Sequence, residues 1–269
     1  MADPSHDAHP PDLGPGLRVS ADGPVGSLVL NRPDKLNALS TDVLFGIEAA
    51  ARWFDTQRGL KVVVLWGEGS SFSAGADVAG FVTDPGDGLT ARDRADAGRR
   101  AADALEAMAA ITVARIQGHC IGGGVVIASA CDFRIAADDA SFSIPEIDLG
   151  IPLAWGGIPR LIREIGAAAT RDLVMTCRRF DPVEAREIGF VQRVVPEPDL
   201  DVAVEALVTQ LAGKAALPLL STKAHINATT SQMTGQGRGW MEADTLVTAL
   251  HDEESREAAN RYLQGLAER

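Results

Sequence analysis

The sequence predicts an α/β protein in which buried strands alternate with helices. Residues 61–66, KVVVLW, form a continuous apolar run of strand length, as expected for a strand covered on both faces. Residues 113–116 form a second, β-branched run that leads to three glycines at 122–124 and to small apolar residues at 125–130. Strand, tight turn and buried helix, followed by further strands at 133–136 and 141–144, indicate α/β layering.

Earlier in the chain, turn residues and helical periodicity predict a hairpin and two helices. Residues 17–20 and 27–31 flank Ala-Asp-Gly-Pro, which predicts a β-hairpin. Apolar residues recur at helical spacing over 41–57, with Ser40 or Thr41 as the expected N-cap. A second helix is expected over 99–110. The polar stretch before it, 83–96, is expected to be mobile or exposed.

The second half of the chain becomes mostly helical. Short helices are expected at 155–165, 168–176 and 182–189, and a last short strand at 192–195. Pro218 is expected to cap one of the later helices, and a loop is expected at 235–239. The predicted organisation is a disordered tail at 1–16, an α/β core at 17–200 and a helical C-terminal region at 201–269.

Composition restricts the possible partners and compartment. The formal net charge of −12 argues against a nucleic-acid surface or an anionic membrane as the partner. No apolar run approaches the roughly 18 residues of a membrane span, and the N-terminus lacks a signal-peptide pattern. Cys120, Cys131 and Cys177 are odd in number and unpatterned, which predicts reduced thiols in a cytoplasmic protein.

The chemistry-bearing features are two glycine turns and one carboxylate. Phosphate-binding, dinucleotide-binding and serine-nucleophile motifs are missing, and His119 beside Cys120 lacks zinc-ligand spacing. Residues 73–77, SAGAD, and 122–124, GGG, follow two strands and could direct two backbone N–H groups at one oxygen. Glu146 lies between Pro145 and an isoleucine, which favours proton transfer near neutral pH. From these residues alone, a packing turn is as compatible with the glycine triplet as a ligand site is, and a capping role is favoured for Glu146.

Taken together, these segments resemble the enoyl-CoA hydratase/isomerase (crotonase) family from about residue 17 to the end. The matching segments are LNRPDKLNALS at 30–40, FSAGAD at 72–77, the GGG turn at 122–124, ACDFRIA at 130–136, FSIPEIDLGI at 142–151, GGIPRLIREIG at 156–166 and FDPVEAREIGFVQRVV at 180–195.

The resemblance implies a crotonase-like spiral of ββα units with a helical C-terminal region, assembled as a trimer or a dimer of trimers. It implies an acyl-CoA thioester as the ligand, and neither a metal nor a cofactor beyond the substrate's own coenzyme A. It assigns the oxyanion hole to the N–H groups of Ala76 and Gly123, and the catalytic role to Glu146. The residues that it places around the substrate and coenzyme A are Arg32, Lys35, Leu36, Ala38, Ala74, Asp77, Gly122, Val126 and Trp155. For Arg32 and Lys35 a plain surface charge, and for Trp155 core packing, remain the alternatives.

One departure from the family pattern bears on the reaction. Hydratases of the family hold water between two glutamates, and the position of the first is Val126 here. Valine neither donates nor accepts a hydrogen bond, so half of that grip is missing. The remaining Glu146 suffices for a Δ3,Δ2-enoyl-CoA isomerase, which moves one proton between two carbons. The dienoyl isomerases carry a further aspartate where this chain has Ala154.

Two other functions remain open at this stage. Hydration is possible if a second acid reaches the water, and Glu68 and Asp77 are the candidates. A catalytically reduced acyl-CoA-binding protein would also account for Val126, although the presence of Glu146 argues against it.

Overall fold

A six-stranded sheet forms the centre of the computed structural model, which describes residues 9–77, 88–235 and 241–267. The sheet has the order β1-β2-β3-β4-β6-β8; β1 and β2 form the antiparallel hairpin and the other neighbours are parallel. A separate parallel pair joins β5 to β7. The strands are β1 Leu17–Asp22, β2 Val25–Leu30, β3 Val62–Gly67, β4 Ile111–Ile116, β5 His119–Ile121, β6 Phe133–Ala137, β7 Ser141–Ser143 and β8 Arg193–Val195.

Helices cover both faces of this sheet. Within the described residues they are α1 Thr41–Phe54, α2 Ala91–Ala107, α3 Gly123–Ser129, α4 Gly157–Thr176, α5 Pro182–Glu187, α6 Leu200–Ala212, α7 Ala216–Thr234, α8 Glu242–Ala249 and α9 Glu253–Ala267. Short 3₁₀ turns occupy Pro33–Lys35 and Glu197–Asp199. The predicted α/β class and helical C-terminal region are confirmed.

Strand residues alternate between two apolar cores, as the period of a β-strand requires. Val63 and Ala114 face a large core that includes α1, α2 and α3, whereas Val62 and Val113 face a smaller core closed by α6. Strand β3 therefore needs apolar side chains on both of its faces, which the continuous run KVVVLW provides. Because α6 packs directly on the sheet, the first helix after the predicted boundary at 200 shares the core of the sheet.

The prediction of a mobile or exposed segment at 83–96 is wrong for Arg94 and Ala95, which are buried in α2, whereas residues 91–93 are exposed on the same helix. Thr90 and Asp93 form a capping box, in which each side chain accepts a hydrogen bond from the other residue's backbone N–H. This cap starts α2 at Ala91, eight residues before the expected start. Residues 83–87 lie outside the described part of the chain, as do residues 1–8 of the predicted tail and 236–239 of the predicted loop.

A glycine interrupts the long helix α4. Gly166 has φ 74° and ψ 165°, which breaks the helical path where the sequence predicts a gap between two helices.

Among the described helices, no single one is long and apolar enough to cross a membrane. The pair Glu197–Ala212 and Ala216–Thr234 meets that criterion jointly by length and composition, with a bend of 108° between the two.

A fully buried arginine joins β6 to the helices behind it. The side chain of Arg134 is inaccessible to solvent, pairs with Glu164 of α4 and donates to the carbonyl of Cys131 at 2.6 Å. Its guanidinium also lies 5.4 Å from the centre of the Phe190 ring. Arg163 also pairs with Glu164, so removing the Arg134 cation would leave the buried Cys131 carbonyl, and not the carboxylate, without its donor.

We expect Arg134→Leu to lower the free energy of unfolding by about 3–5 kcal/mol, because it removes the charged donor from several buried backbone carbonyls. Urea titration at constant protein concentration measures the loss. Arg178→Leu is the matched control, since Arg178 pairs with Asp172 and Glu184 at the surface. That variant should lose about 1 kcal/mol or less. Equal losses in the two variants would show that burial of the Arg134 pair does not matter.

Candidate functional site

The first glycine turn, residues 73–77, is held between two other segments of the chain. Ser73 pairs with Cys120 of β5, and its N–H donates to the carbonyl of His119 at 2.8 Å. On the other side, the Ala74 N–H donates to the carbonyl of Leu36, and the Leu39 N–H donates to the carbonyl of Gly75, both at 2.8 Å. The Ala76 N–H has no acceptor among the described residues. It is therefore free to bind a ligand.

The second glycine turn, residues 122–124, lies against the first. The Gly122 N–H donates to the carbonyl of Ser143 at 2.8 Å, and α3 begins at Gly123, so the Gly123 N–H has no acceptor within the helix. A side chain on Gly75 would bring its Cβ within 2.7 Å of the Ile121 carbonyl oxygen and 3.5 Å of the Gly123 nitrogen. Only glycine permits this approach, which places the two free N–H groups on touching turns.

Glu146 follows β7, the strand that pairs with β5. A Cβ on Gly122 would lie 2.5 Å from the Glu146 Oε1, so the missing side chain makes room for the carboxylate beside the second turn. The Oε2 atom is buried and has no hydrogen-bond partner among the described residues. Burial in these surroundings raises the pKa of Glu146 to about 7. The group therefore exchanges a proton near neutral pH.

These three features open on one cavity of about 450 Å³. Its described lining contains one carboxylate, Glu146. Val126 lines the cavity one helical turn after the glycines, and Ala154 lines it where a further acid of dienoyl isomerases is expected from the resemblance. The remaining lining is mostly apolar and includes Leu149, Ile151, Pro152, Leu153, Leu246, Ala249 and Leu250.

Trp155 both lines the cavity and packs in the core, so the two sequence-based interpretations hold together. The residue is 5% exposed and has a φ of 61°, unusual for a bulky side chain. A Cβ on Gly98 would lie 1.9 Å from its ring, and a Cβ on Gly123 would lie 2.2 Å from it. The indole is thus held between α2 and the second glycine turn.

Several residues predicted to contact the ligand lie elsewhere in the structure. The Arg32 Nη2 is 2.9 Å from the Asp77 Oδ2, and its Nη1 donates to the Ala38 carbonyl at 2.6 Å. This guanidinium therefore joins the loop that contains Ala38 to the first glycine turn. Lys35 and Leu36 are exposed on the same loop. Neither they, Arg32 nor Ala38 line the cavity.

The two candidate second acids are not placed to activate water. Asp77 pairs with Arg32, Glu68 pairs with Arg18 near the surface, and neither carboxylate lines the cavity. The positions implied for the site that do line it are Ala74, Ala76, Gly122, Gly123, Val126, Glu146 and Trp155.

Sequence reasoning missed one wall of the cavity. One side of α9 lines it with Ser255, Arg256, Asn260 and Tyr262. These residues recur at helical spacing, which marks one face of a helix, but the pattern carries no information about what that face meets. Burial raises the pKa of the Tyr262 phenol, and the charges of Asp148 and Glu146 raise it further. This wall therefore lines the same cavity as Glu146.

Within the described part of the chain, no group of three His, Cys, Asp or Glu side chains is placed to hold a metal ion. Cys120, Cys131 and Cys177 are buried and free, and burial raises the pKa of all three thiols.

The chain matches a protein family and is similar to named relatives. Residues 21–267 match the model of a family described as enoyl-CoA hydratase/isomerase. A probable enoyl-CoA hydratase of Mycobacterium bovis is 36% identical over 82% of this chain and 84% of its own length. A peroxisomal Δ(3,5)-Δ(2,4)-dienoyl-CoA isomerase of Arabidopsis thaliana is 34% identical over 77% of this chain and 79% of its own.

Solved structures show the same fold. An enoyl-CoA hydratase of Mycobacterium avium subsp. paratuberculosis superposes with a TM-score of 0.83 at 28% identity, covering 93% of this chain and 96% of that one. A putative enoyl-CoA hydratase of Thermobifida fusca, solved in complex with acetoacetyl-CoA, gives a TM-score of 0.75 at 27% identity over 86% and 93% of the two chains.

We expect Glu146→Gln to raise the melting temperature at pH 8, because the wild-type carboxylate is then charged in a site that disfavours charge. The advantage should shrink as the pH falls from about 7 toward 4.5. Over that range the folded protein holds a proton on Glu146 that the unfolded chain has released, so lowering the pH stabilises the wild type. Scanning calorimetry from pH 4.5 to 8.5 measures the difference. Glu254→Gln, at an exposed glutamate of α9, is the control, and an advantage for Glu146→Gln that does not vary with pH would contradict the assignment.

Proposed function

The chain belongs to the enoyl-CoA hydratase/isomerase family, and we propose that it moves the double bond of an enoyl-CoA from the 3 to the 2 position. The observation that carries this proposal is the single carboxylate of the described cavity lining, Glu146, which shares the cavity with the two turns that carry Ala76 and Gly123. A proton shuttle between two carbons needs one such base. Addition of water across the bond needs a second group to hold the water.

The ligand proposed is an acyl-CoA thioester. A cavity of about 450 Å³ with an apolar lining suits an acyl chain, and the two free N–H groups suit a thioester oxygen. Lys35 is the exposed cation on the loop that holds the first turn, so it is the side chain proposed to meet the coenzyme A phosphates. The relative solved with acetoacetyl-CoA supports this ligand class.

The proposed reaction begins with proton abstraction. The Glu146 carboxylate takes a proton from C2, and the electron pair of that C–H bond forms a C1–C2 double bond as the thioester oxygen gains negative charge. The N–H groups of Ala76 and Gly123 stabilise this oxyanion. The dienolate then collapses: the oxygen returns to a carbonyl, C2 and C3 become doubly bonded, and C4 takes the proton from Glu146. No atom is gained or lost.

Burial gives Glu146 a pKa of about 7, which suits both halves of this cycle. A carboxylate with an ordinary pKa is a weak base toward carbon. Raising the pKa strengthens the base and still leaves a large ionised fraction at neutral pH.

Hydration is the second candidate, and the names of relatives favour it. A probable enoyl-CoA hydratase and a crotonyl-CoA hydratase are among them. Since Val126 cannot hold water, hydration by this chain would have to use the polar residues of α9, among which Tyr262 lines the same cavity as Glu146. A dienoyl isomerase is disfavoured by the alanine at 154, which lines the cavity without a carboxylate.

We also propose that the chain assembles as a trimer or a dimer of trimers, as the family resemblance implies. Helix α7 supports this: Leu217 is 82% exposed, Met233 is 79% exposed and Ile226 is 56% exposed. Such a run of exposed apolar side chains is typical of an interface.

We expect the purified protein to convert 3-enoyl-CoA to 2-enoyl-CoA faster than it hydrates 2-enoyl-CoA of the same chain length. The value of kcat/KM should rise with pH through about 7 and level off above it, because the base form of Glu146 is required. Glu146→Gln should lower kcat by a factor of about 100 to 10,000 while the thioester still binds. Rapid hydration with slow isomerisation would instead favour the second candidate.

A second substitution tests the meaning of Val126. We expect Val126→Glu to raise the hydration rate relative to isomerisation, because it adds a carboxylate to the cavity wall. Val126→Gln is the control, since it has nearly the same size and cannot take the proton. Product ratios by chromatography measure the change. An equal shift in both variants would show that size, and not the second carboxylate, determines the outcome.

A further inference from the structure

We infer that Glu242 of α8 is a positioning residue for the oxyanion hole and acts on Gly123 through Trp155. The inference rests on the proposed function of the Gly123 N–H. It assigns part of the active-site geometry to a carboxylate that lies outside the cavity lining.

The backbone immediately before α4 has an unusual conformation at two consecutive residues. Trp155 and Gly156 both have left-handed conformations, with φ values of 61° and 68°. Glycine tolerates this region, whereas a bulky residue such as tryptophan enters it only when the surrounding structure holds it there. The turn therefore depends on contacts from elsewhere in the chain.

Those contacts come from two charged side chains. Glu242 accepts a hydrogen bond from the Gly156 N–H at 2.6 Å. The Arg160 Nη1 donates to the carbonyls of Trp155 and Gly156, at 3.1 Å each. Arg160 is fully buried and is itself fixed by Asp103 at 2.6 Å and by Glu106 at 2.9 Å. The donor and the acceptors of the turn are thus both occupied by charged partners.

The turn sets the position of the indole ring. The ring fills the space where Gly123 would carry a Cβ, because its Cζ3 lies 2.2 Å from that point, and it approaches Gly98 of α2 in the same way. Gly123 is the first residue of α3 and cannot move toward the ring without a clash. Trp155 therefore limits how the Gly123 backbone can move, and with it the direction of the Gly123 N–H.

The consequence for catalysis follows from where charge develops. The oxyanion forms only during the reaction, so a misdirected N–H weakens the transition state more than the bound substrate. Loss of the Glu242 contact should then lower kcat more than it changes KM. A helix that merely stabilised the fold would show no such split.

The chain offers a matched control on the same helix. The Asp244 Oδ1 accepts from the Arg92 Nε at 2.8 Å, which also ties α8 to α2. This pair is half-exposed and does not touch the turn at Trp155. Asp244→Ala therefore removes one contact of α8 and keeps the hydrogen bonds of Glu242 and Arg160 with the turn.

The experiment compares Glu242→Ala, Glu242→Gln and Asp244→Ala in the full chain. We expect Glu242→Ala to lower kcat for 3-enoyl-CoA by a factor of about 10 to 100 with KM changed less than about threefold. Glu242→Gln keeps an oxygen acceptor for the Gly156 N–H and should recover most of the activity. Asp244→Ala should stay within about threefold of the wild type.

A spectroscopic measurement separates this inference from the proposed function. Bound acetoacetyl-CoA reports polarisation of its thioester oxygen through the ultraviolet band of its enolate, with no turnover. We expect Glu242→Ala to weaken that band at saturating ligand, unlike Asp244→Ala. If 3-enoyl-CoA is not turned over but the band changes as expected, the isomerase proposal fails and the positioning role stands. Identical bands and kcat values in the two alanine variants would overturn the positioning role.

Discussion

The site depends on a contact between two stretches of backbone that only glycine allows. Gly75 meets the carbonyl of Ile121 so closely that a Cβ would lie 2.7 Å from it, and the pairing of Ser73 with Cys120 holds the two turns at that separation. The parallel neighbours β3 and β4 bring both turns to the same edge of the sheet. The close approach of Gly75 to Ile121 brings the two free N–H groups together. The second turn in turn contacts Glu146 at Gly122 and Trp155 at Gly123.

The electrostatics of the site result from what surrounds Glu146. Its carboxylate lies among apolar groups with one oxygen unpaired, and this raises its pKa to about 7. Elsewhere in the protein, buried charges are neutralised: Arg134 pairs with Glu164, and Arg160 pairs with Asp103 and Glu106. Buried charged groups therefore have two different roles in this protein. Paired charges join helices to the sheet, whereas the unpaired carboxylate keeps a readily exchanged proton.

Sequence reasoning reached the parts of the site that depend on local pattern. The two glycine turns and Glu146 each follow a strand, and the structure brings them to one cavity. Arg32 could not be judged in this way, because its pairing with Asp77 joins segments 45 residues apart. The polar face of α9 was missed for the same reason, since helical spacing does not reveal which surface a helix meets. The early start of α2 depended on a capping box that could have been read from Thr90 and Asp93.

The walls of the cavity come from nearly the whole length of the chain. Its lining runs from Ala74, in the first turn, to Leu263, in α9. During synthesis the glycine turns and Glu146 leave the ribosome more than a hundred residues before the last wall exists. A nascent or clipped chain that lacks α9 would therefore lack this wall, and the cavity around Glu146 would be closed on that side only once the final helix had folded into place.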